Sequence, residues 1–195
     1  MTMRPGKLTR AHRLLAPRIA YLIGTRSPQG QPNLIPVSNV TSISTSPQLI
    51  VLAVFRQWTT YENLATTEEF TVSVPKAEQL DGVWKLGARY SRFDYADISA
   101  KLADSGLEIR YAPDLPAPAL TDGLGWLTCR TIQEVDAGGD HGVFVGEITS
   151  VTFSRDDFDE NGTPTGDIHP LMQVTGNRFA TSGATRSIPY GESAP

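Results

Sequence analysis

A row of hydroxyl side chains followed by one arginine is the feature of this sequence best suited to chemistry. Ser38, Thr41 and Ser44 stand three residues apart, and an apolar run, Leu49–Phe55, then leads to Arg56. Hydroxyls can donate hydrogen bonds to a phosphate, and a guanidinium can bind one through two parallel N–H groups. The pattern predicts a site for a small phosphorylated ligand. A hydroxyl-rich loop ahead of a half-buried strand is the alternative that it leaves open.

A helix-start signal follows this arginine. Thr59 or Thr60 can act as an N-cap, with Glu62 in the first turn of a short helix that ends at Leu64 or Ala65. The free N–H groups at a helix N-terminus favour a bound anion. The helix start therefore adds to the predicted phosphate site.

Charge is divided unevenly along the chain. No Asp or Glu precedes Glu62, whereas seven Arg or Lys residues do, so the first 61 residues carry +7. The remainder holds 10 basic and 21 acidic residues, or −11, which gives the net charge of −4. An acid-free segment suits an anionic ligand. The net charge argues against a nucleic-acid-binding protein, because the basic residues are spread out and lack interleaved aromatic residues.

Length and composition predict one domain. The 195 residues are expected to form a single domain over residues 1–183, with a lead-in segment at 1–18 and a flexible tail at 184–195. The single cysteine, Cys129, cannot form an intramolecular disulfide and is expected to be buried and inert. No window has the ~20 apolar residues of a membrane span. A cytoplasmic location without membrane partners is therefore expected.

Short apolar and alternating runs predict six or seven strands. They cover Ile19–Thr25, Asn33–Val40, Leu49–Val54, Phe70–Val74, Leu107–Ala112, Trp126–Val135 and Val143–Ser154. Predicted helices are few, namely Ala77–Leu86 and Asp97–Ala103 besides the one that begins near Thr59. Strands dominate, and the helices are too sparse to alternate with them in a doubly wound sheet. The pattern indicates a mainly β fold, most simply a barrel.

Four motifs in this order resemble the flavin reductase-like, FMN-binding split-barrel family. The first is S-x-x-T-x-x-S-x-x-P at Ser38–Pro47, and the second is T-x-x-N at Thr60–Asn63 followed by EEF at Glu68–Phe70. The third is GDHGVFVGEI at Gly139–Ile148, and the fourth is HPLMQVTGNRF at His169–Phe179. The resemblance covers about residues 15 to 183.

The resemblance implies a Greek-key split barrel with a few short helices that forms a homodimer and binds one flavin per subunit. It implies FMN, with FAD as the other possibility, and NADH or NADPH as the reductant. The expected activity is a flavin reductase that passes electrons to a second flavin, to another acceptor or to a monooxygenase partner. Two alternatives stay open: an FMN-binding electron carrier or flavin store without turnover, and a dimeric scaffold that has lost its ligand.

The resemblance also implies roles for individual residues. The expected contacts along the isoalloxazine edge come from Ser38, Asn39, Val40 and Thr41, and those around the ribityl phosphate from Ser44, Arg56, Thr59 and Thr60. Two positions depart from the family pattern. Gln48 stands where a second proline is common, and Asn39 replaces a small or aromatic residue. Asn39 would add polarity beside the ring.

His141 is the candidate catalytic residue. It follows two glycines and Asp140, so a flexible approach could bring its imidazole to the flavin or the nicotinamide. An imidazole there could transfer a proton near neutral pH or steer the dinucleotide. A polar turn histidine at a strand start is the alternative. The three histidines share no metal-ligand spacing with the cysteine, and no metal site is predicted.

Three tryptophans and two further arginines are weaker candidates. Trp58, Trp84 and Trp126 could cover a planar ring, although tryptophan more often fills a core or an interface. Arg89 and Arg92 could contact a dinucleotide phosphate, with a solvated helix face as the ordinary alternative.

Overall fold

Antiparallel strands make up most of the regular structure in the computed structural model, which describes residues 2–87, 97–112 and 114–186. The candidates Arg89 and Arg92 and most of the predicted tail lie outside the described residues. In the lead-in segment, a 3₁₀ helix at Leu8–Leu15 has no buried residue. No helix among the described residues is long and apolar enough to cross a membrane.

Seven strands pair into one antiparallel sheet. In chain order the described strands are β1 Arg18–Ile19, β2 Tyr21–Arg26, β3 Pro32–Val37, β4 Val40–Thr45, β5 Gln48–Phe55, β6 Glu69–Val74, β7 Ile109–Arg110, β8 Ala119–Leu120, β9 Gly125–Val135, β10 His141–Phe153, β11 Met172–Thr175 and β12 Arg178–Ala180. The large sheet has the order β3-β2-β6-β9-β10-β5-β4, while β1, β11 and β12 form a separate small sheet. The predicted mainly β fold is confirmed.

One apolar core joins the two ends of the large sheet. Ile35 from β3 and Leu52 from β5 belong to the same buried cluster, together with Phe70, Cys129 and Phe144 from the strands between them. Strands that are distant in the sheet order can share a core only if the sheet curls around it. This curl is the open barrel that the strand pattern predicts.

Strand β5 departs from its predicted burial. The near-continuous aliphatic run Leu49–Val54 is typical of a strand buried on both faces, but burial alternates along β5, with Ile50, Leu52 and Val54 buried and the residues between them half-buried. One face of β5 packs on the core. Because Ala53 lies on the other face, it can border an open cavity beside the sheet.

Three short α-helices are described: α1 Thr59–Thr66, α2 Leu80–Leu86 and α3 Ile98–Asp104. The predicted cap of α1 by Thr59 or Thr60 is wrong. Trp58 is the N-cap, and its side chain makes no capping hydrogen bond. In contrast, the Asp97 side chain caps α3 by accepting a hydrogen bond from Ala100 N at 2.8 Å. Helices α2 and α3 cover the outer face of β2 and β3 through a second apolar cluster.

A buried polar network lies between α1, α3 and the β2–β3 hairpin. Asn33 Nδ2 donates to Thr60 Oγ1 at 2.8 Å, and Asn63 Nδ2 donates to Thr25 Oγ1 at 2.9 Å. Lys101 Nζ donates to Asn33 Oδ1 at 3.3 Å. Lys101 is 6% exposed, and burial lowers its pKa from 10.5 to about 8. Its charged form is therefore disfavoured in the folded state.

This burial predicts a pH-dependent stability. Because the folded pKa of Lys101 is depressed, the unfolded chain binds more protons between pH 8 and 10.5, and stability due to this group rises with pH across that window. The free energy of unfolding of the wild type minus that of Lys101→Met should therefore rise by up to about 3 kcal/mol across this window. Urea unfolding of both proteins at several pH values measures this difference. A difference that does not change with pH would contradict the assignment, and Lys7→Met, at an exposed lysine, serves as the control.

Candidate functional site

A cavity of about 430 Å³ opens where the end of β3, the start of β10, α2 and the β11–β12 hairpin meet. Its polar lining comes from Arg18, Ser38, Asn39, His141 and Gln173. A cavity of this size with a mostly apolar wall and a few polar groups is typical of a small-molecule site. Since three of the predicted site residues, Ser38, Asn39 and His141, line it, the cavity is the candidate functional site.

Backbone pairing places Ser38 and Asn39 at the cavity. They occupy the two-residue connection between β3 and β4, and Asn39 O accepts a hydrogen bond from Ala53 N of β5 at 2.9 Å. Ser38 Oγ donates to Gln173 Oε1 at 3.2 Å, and Gln173 Nε2 donates to Gly176 O at 3.0 Å. These hydrogen bonds join the large sheet to the β11–β12 hairpin across the cavity.

Aromatic side chains form two walls of the cavity. On one side Trp58 packs edge-to-face on Phe55, with ring centroids 5.9 Å apart. On the other side Trp84 packs edge-to-face on Phe179 at 6.0 Å. Aromatic faces of this kind can pack against a flat ring system. Trp126, the third tryptophan considered, lies instead in a separate apolar groove.

His141 enters the cavity through the pairing of β10 with β5. Its backbone lies opposite Phe55 in the ladder, and the two ring centroids are 5.5 Å apart with the ring planes at 65°. Its Nδ1 lies 2.6 Å from Asp140 Oδ1. This hydrogen bond lowers the pKa of the Asp140 carboxyl. The carboxylate thereby fixes the orientation of the imidazole, which is about one-third exposed.

Arg56 follows the last residue of β5, but its guanidinium is already paired with two carboxylates. Its Nη1 is 3.2 Å from Glu134 Oε1, and its Nη2 is 3.1 Å from Asp136 Oδ1. Nη1 also donates to Tyr61 Oη at 2.9 Å. Arg56 does not line the cavity, although its backbone N–H donates to Asp140 O at 3.0 Å and so holds it next to His141. A phosphate would have to compete with two carboxylates for this guanidinium.

The remaining predicted residues are spread over β4 and α1. Val40 is half-buried and packs on the core, while Thr41 and Ser44 lie farther along the edge strand β4. Thr59 is exposed at the start of α1. Thr60 points inward, is 1% exposed and accepts the hydrogen bond from Asn33. The structure therefore does not bring Thr60 to the cavity.

A flavin fits the residues of this cavity. The aromatic walls suit a flat ring, and the polar end offers hydroxyl, amide and imidazole groups. In addition, Arg18 Nε is buried and has no hydrogen-bond partner in the structure, although the side chain lines the cavity. A buried donor without a partner is unusual in a native fold and is satisfied when a ligand supplies an acceptor.

Three cavity residues were not predicted from the sequence: Arg18, Gln173 and Phe179. Arg18 was counted only among the scattered basic residues of the first 61, and its position directly before the first predicted strand was the available signal. Gln173 and Phe179 fall in the HPLMQVTGNRF motif, but that motif alone does not indicate which side chains face a ligand. Arg18 and Gln173 come together through the pairing of β1 with β11, and Phe179 lies opposite Gln173 in the β11–β12 ladder.

Cys129 is buried in strand β9, as predicted, and burial raises the pKa of its thiol to about 12. A thiol that does not ionise near neutral pH is a poor nucleophile and a poor metal ligand. Its part in the structure is therefore to fill the apolar core.

Comparison with known proteins finds relatives in sequence and in fold. An uncharacterised protein of Archaeoglobus fulgidus is 31% identical over 82% of this chain and 86% of its own length. The reductase component of a flavin-dependent trigonelline monooxygenase from Acinetobacter baylyi is 26% identical over 67% of this chain and 38% of its own length. The structure of flavoredoxin from Desulfovibrio vulgaris matches with a TM-score of 0.79 at 18% identity, over 98% of this chain and 99% of that one.

The family model for the flavin reductase like domain matches residues 13–182. That range contains the curled sheet, the cavity and every predicted site residue. The fold is the split barrel expected from the four motifs. On this evidence the chain belongs to the flavin reductase-like, FMN-binding split-barrel family.

Proposed function

We propose that this protein is an FMN-dependent flavin reductase that takes hydride from NADH or NADPH and passes electrons to a second flavin or another acceptor. The observation that carries the proposal is the cavity in which Ser38, Asn39 and His141 meet two aromatic walls. Family membership supports flavin chemistry, and the relative from Acinetobacter is a reductase component. FAD is the other flavin that this account allows.

In this proposal the chain binds and orients the reactants. Ser38 and Asn39, with the neighbouring Val40 and Thr41, would hold the ring edge through backbone and side-chain hydrogen bonds. His141, oriented by Asp140, would steer the nicotinamide or hold a proton at its free ring nitrogen. A bound flavin would supply the redox chemistry by accepting two electrons and one proton as hydride.

The phosphate is assigned to the segment around Arg56. Ser44, Arg56 and Thr59 are the candidate phosphate contacts, and Thr60 would contribute only if its buried side chain left Asn33. Arg56 and Thr59 flank the start of α1, where free backbone N–H groups also favour an anion. Binding of phosphate to Arg56 would displace one or both carboxylates that now pair with it.

We further propose that two copies of the chain form a homodimer. Val151 and Phe153 on β10 are 49% and 40% exposed, and they border an apolar groove with Trp126, Ile168 and Pro170. An exposed apolar patch of this kind is typical of a surface that another protein covers.

A monooxygenase that consumes reduced flavin is the proposed functional partner, in keeping with the Acinetobacter relative.

The first test is anaerobic reduction of the FMN-loaded protein. Purified protein incubated with FMN should retain the visible absorbance band of oxidised flavin after gel filtration or show it on titration. One equivalent of NADH or NADPH should then bleach the band, because hydride transfer reduces the ring. Bound flavin that neither nucleotide bleaches would instead indicate an electron carrier or a flavin store. Absence of flavin binding would instead indicate a dimeric scaffold that has lost its ligand.

His141→Ala should slow the bleaching by about tenfold or more while leaving FMN occupancy near that of the wild type, since the imidazole acts on the nicotinamide or on a proton. Stopped-flow absorbance with excess NADH or NADPH measures the rate. His169→Ala is the matched control, because His169 is exposed and does not line the cavity. Equal rates for the wild type and His141→Ala would assign His141 a structural role.

Two substitutions with opposite expected effects test Arg56. Arg56→Ala should weaken FMN binding by about tenfold and riboflavin binding little, because the lost contact is to phosphate. Glu134→Gln should strengthen FMN binding, since it frees part of the guanidinium from a competing carboxylate. Fluorescence titration with both flavins gives the dissociation constants. Equal losses for FMN and riboflavin in Arg56→Ala would contradict a phosphate contact.

A further inference from the structure

Arg18 is the one guanidinium that lines the candidate flavin cavity in the described part of the chain. Its backbone pairs with Gln173 across the β1–β11 ladder, and its side chain lines the cavity together with Ser38 and Gln173. Its Nε is buried with no hydrogen-bond partner, and its guanidinium forms no ion pair with any described residue. Arg18 therefore brings to the cavity a positive charge that no carboxylate of the described residues pairs with.

Three other arginines of the described chain, unlike Arg18, pair with carboxylates. Arg56 pairs with Glu134 and Asp136, Arg110 with Asp114, and Arg130 with Glu147. No carboxylate lines the cavity among the described residues. The other titratable group in the lining, His141, has its Nδ1 engaged by Asp140. The electrostatics of the cavity thus favour a ligand that carries negative charge there.

A redox role for Arg18 rests on the proposed flavin reductase function. A hydride carries two electrons and one proton, so a neutral oxidised ring that receives it gains one net negative charge, while the nicotinamide that loses it gains one positive charge. Inside a cavity shielded by aromatic walls, a fixed positive charge interacts more strongly than in water. Such a charge stabilises the reduced form of the ligand more than the oxidised form.

We infer that Arg18 is the residue that makes the cavity bind reduced flavin more tightly than oxidised flavin, and that it thereby raises the reduction potential of the bound flavin. The role differs from that proposed for Arg56. Arg56 lies outside the cavity lining and is assigned to the phosphate, which carries the same charge in both redox states of the ring. Arg18 lies within the lining, so its effect should not depend on the phosphate.

Riboflavin distinguishes the negative charge of the reduced ring from the negative charge of the phosphate. It has the same ring as FMN but no phosphate. If Arg18 acts on the ring, its removal changes the ratio of reduced to oxidised affinity equally for FMN and riboflavin. If Arg18 binds phosphate instead, its removal weakens FMN in both redox states and leaves riboflavin nearly unchanged.

The experiment measures dissociation constants for oxidised and chemically reduced FMN and riboflavin under anaerobic conditions. Arg18→Gln is expected to weaken binding of the reduced form by about tenfold more than binding of the oxidised form, for both ligands. That ratio corresponds to a fall of ~30 mV in the two-electron potential of the bound flavin. Arg18→Lys, which keeps the charge, should retain most of the wild-type ratio.

Arg26→Gln is the matched control. Like Arg18, Arg26 has a buried Nε without a hydrogen-bond partner, but it lines a different cavity with Glu68, Glu69 and Arg130. Its substitution should leave the ratio unchanged. Arg18→Met provides a second neutral variant that places no polar group at the site, and it serves if Arg18→Gln does not fold.

Two results would overturn the inference. One is equal weakening of oxidised and reduced flavin in both neutral Arg18 variants, and the other is an effect confined to FMN. Either would leave the proposed reductase function standing, because the wild type would still bind flavin. If the wild type bound neither flavin in either redox state, the proposed function and the inference would fall together.

Discussion

The position of β5 between β4 and β10 is the constraint on which the rest of the site depends. On one side, Ala53 N donates a hydrogen bond to Asn39 O at 2.9 Å, and this bond fixes the connection between β3 and β4. On the other side, the register places His141 opposite Phe55. Ser38 and Asn39 precede His141 by more than 100 residues in sequence, and this one strand brings them to the same cavity as the imidazole. A slip of one residue would turn His141 to the opposite face of the sheet.

Close packing around β10 keeps this register. A Cβ on Gly142 would lie 2.4 Å from Tyr61 Cε2, and one on Gly146 would lie 2.7 Å from Phe70 Cζ. Larger residues at these positions would push the aromatic rings out of place. Tyr61 in turn accepts a hydrogen bond from Arg56, so the packing of β10 also positions the guanidinium at the edge of the site. The packing of β10 therefore positions both His141 in the cavity and Arg56 beside it.

Local patterns in the sequence were enough for the strands and for part of the site. Alternating or apolar runs located β6, β9 and β10 to within a few residues, and the four motifs led to the family. The connection at Ser38 and Asn39 and the histidine after Gly138 and Gly139 were also identified as parts of one site, and the structure brings both to the cavity.

Long-range pairing accounts for what the sequence did not reveal. The carboxylates on Arg56 come from Glu134 and Asp136, about 80 residues later, and no local pattern indicates that contact. Thr60 has the residue type of a helix cap but turns inward, because Asn33 on β3 offers it a buried hydrogen bond. Arg18 gains its position only when β1 pairs with β11. Each case depends on tertiary contacts rather than on residue type or spacing.

A crystal structure of the full chain grown with FMN tests the central claim most directly. We expect electron density for the isoalloxazine ring in the cavity bounded by Trp58, Trp84 and Phe179, within reach of Asn39 and His141. Density for FMN at another surface, or an empty cavity at an FMN concentration that saturates the protein in solution, would contradict it.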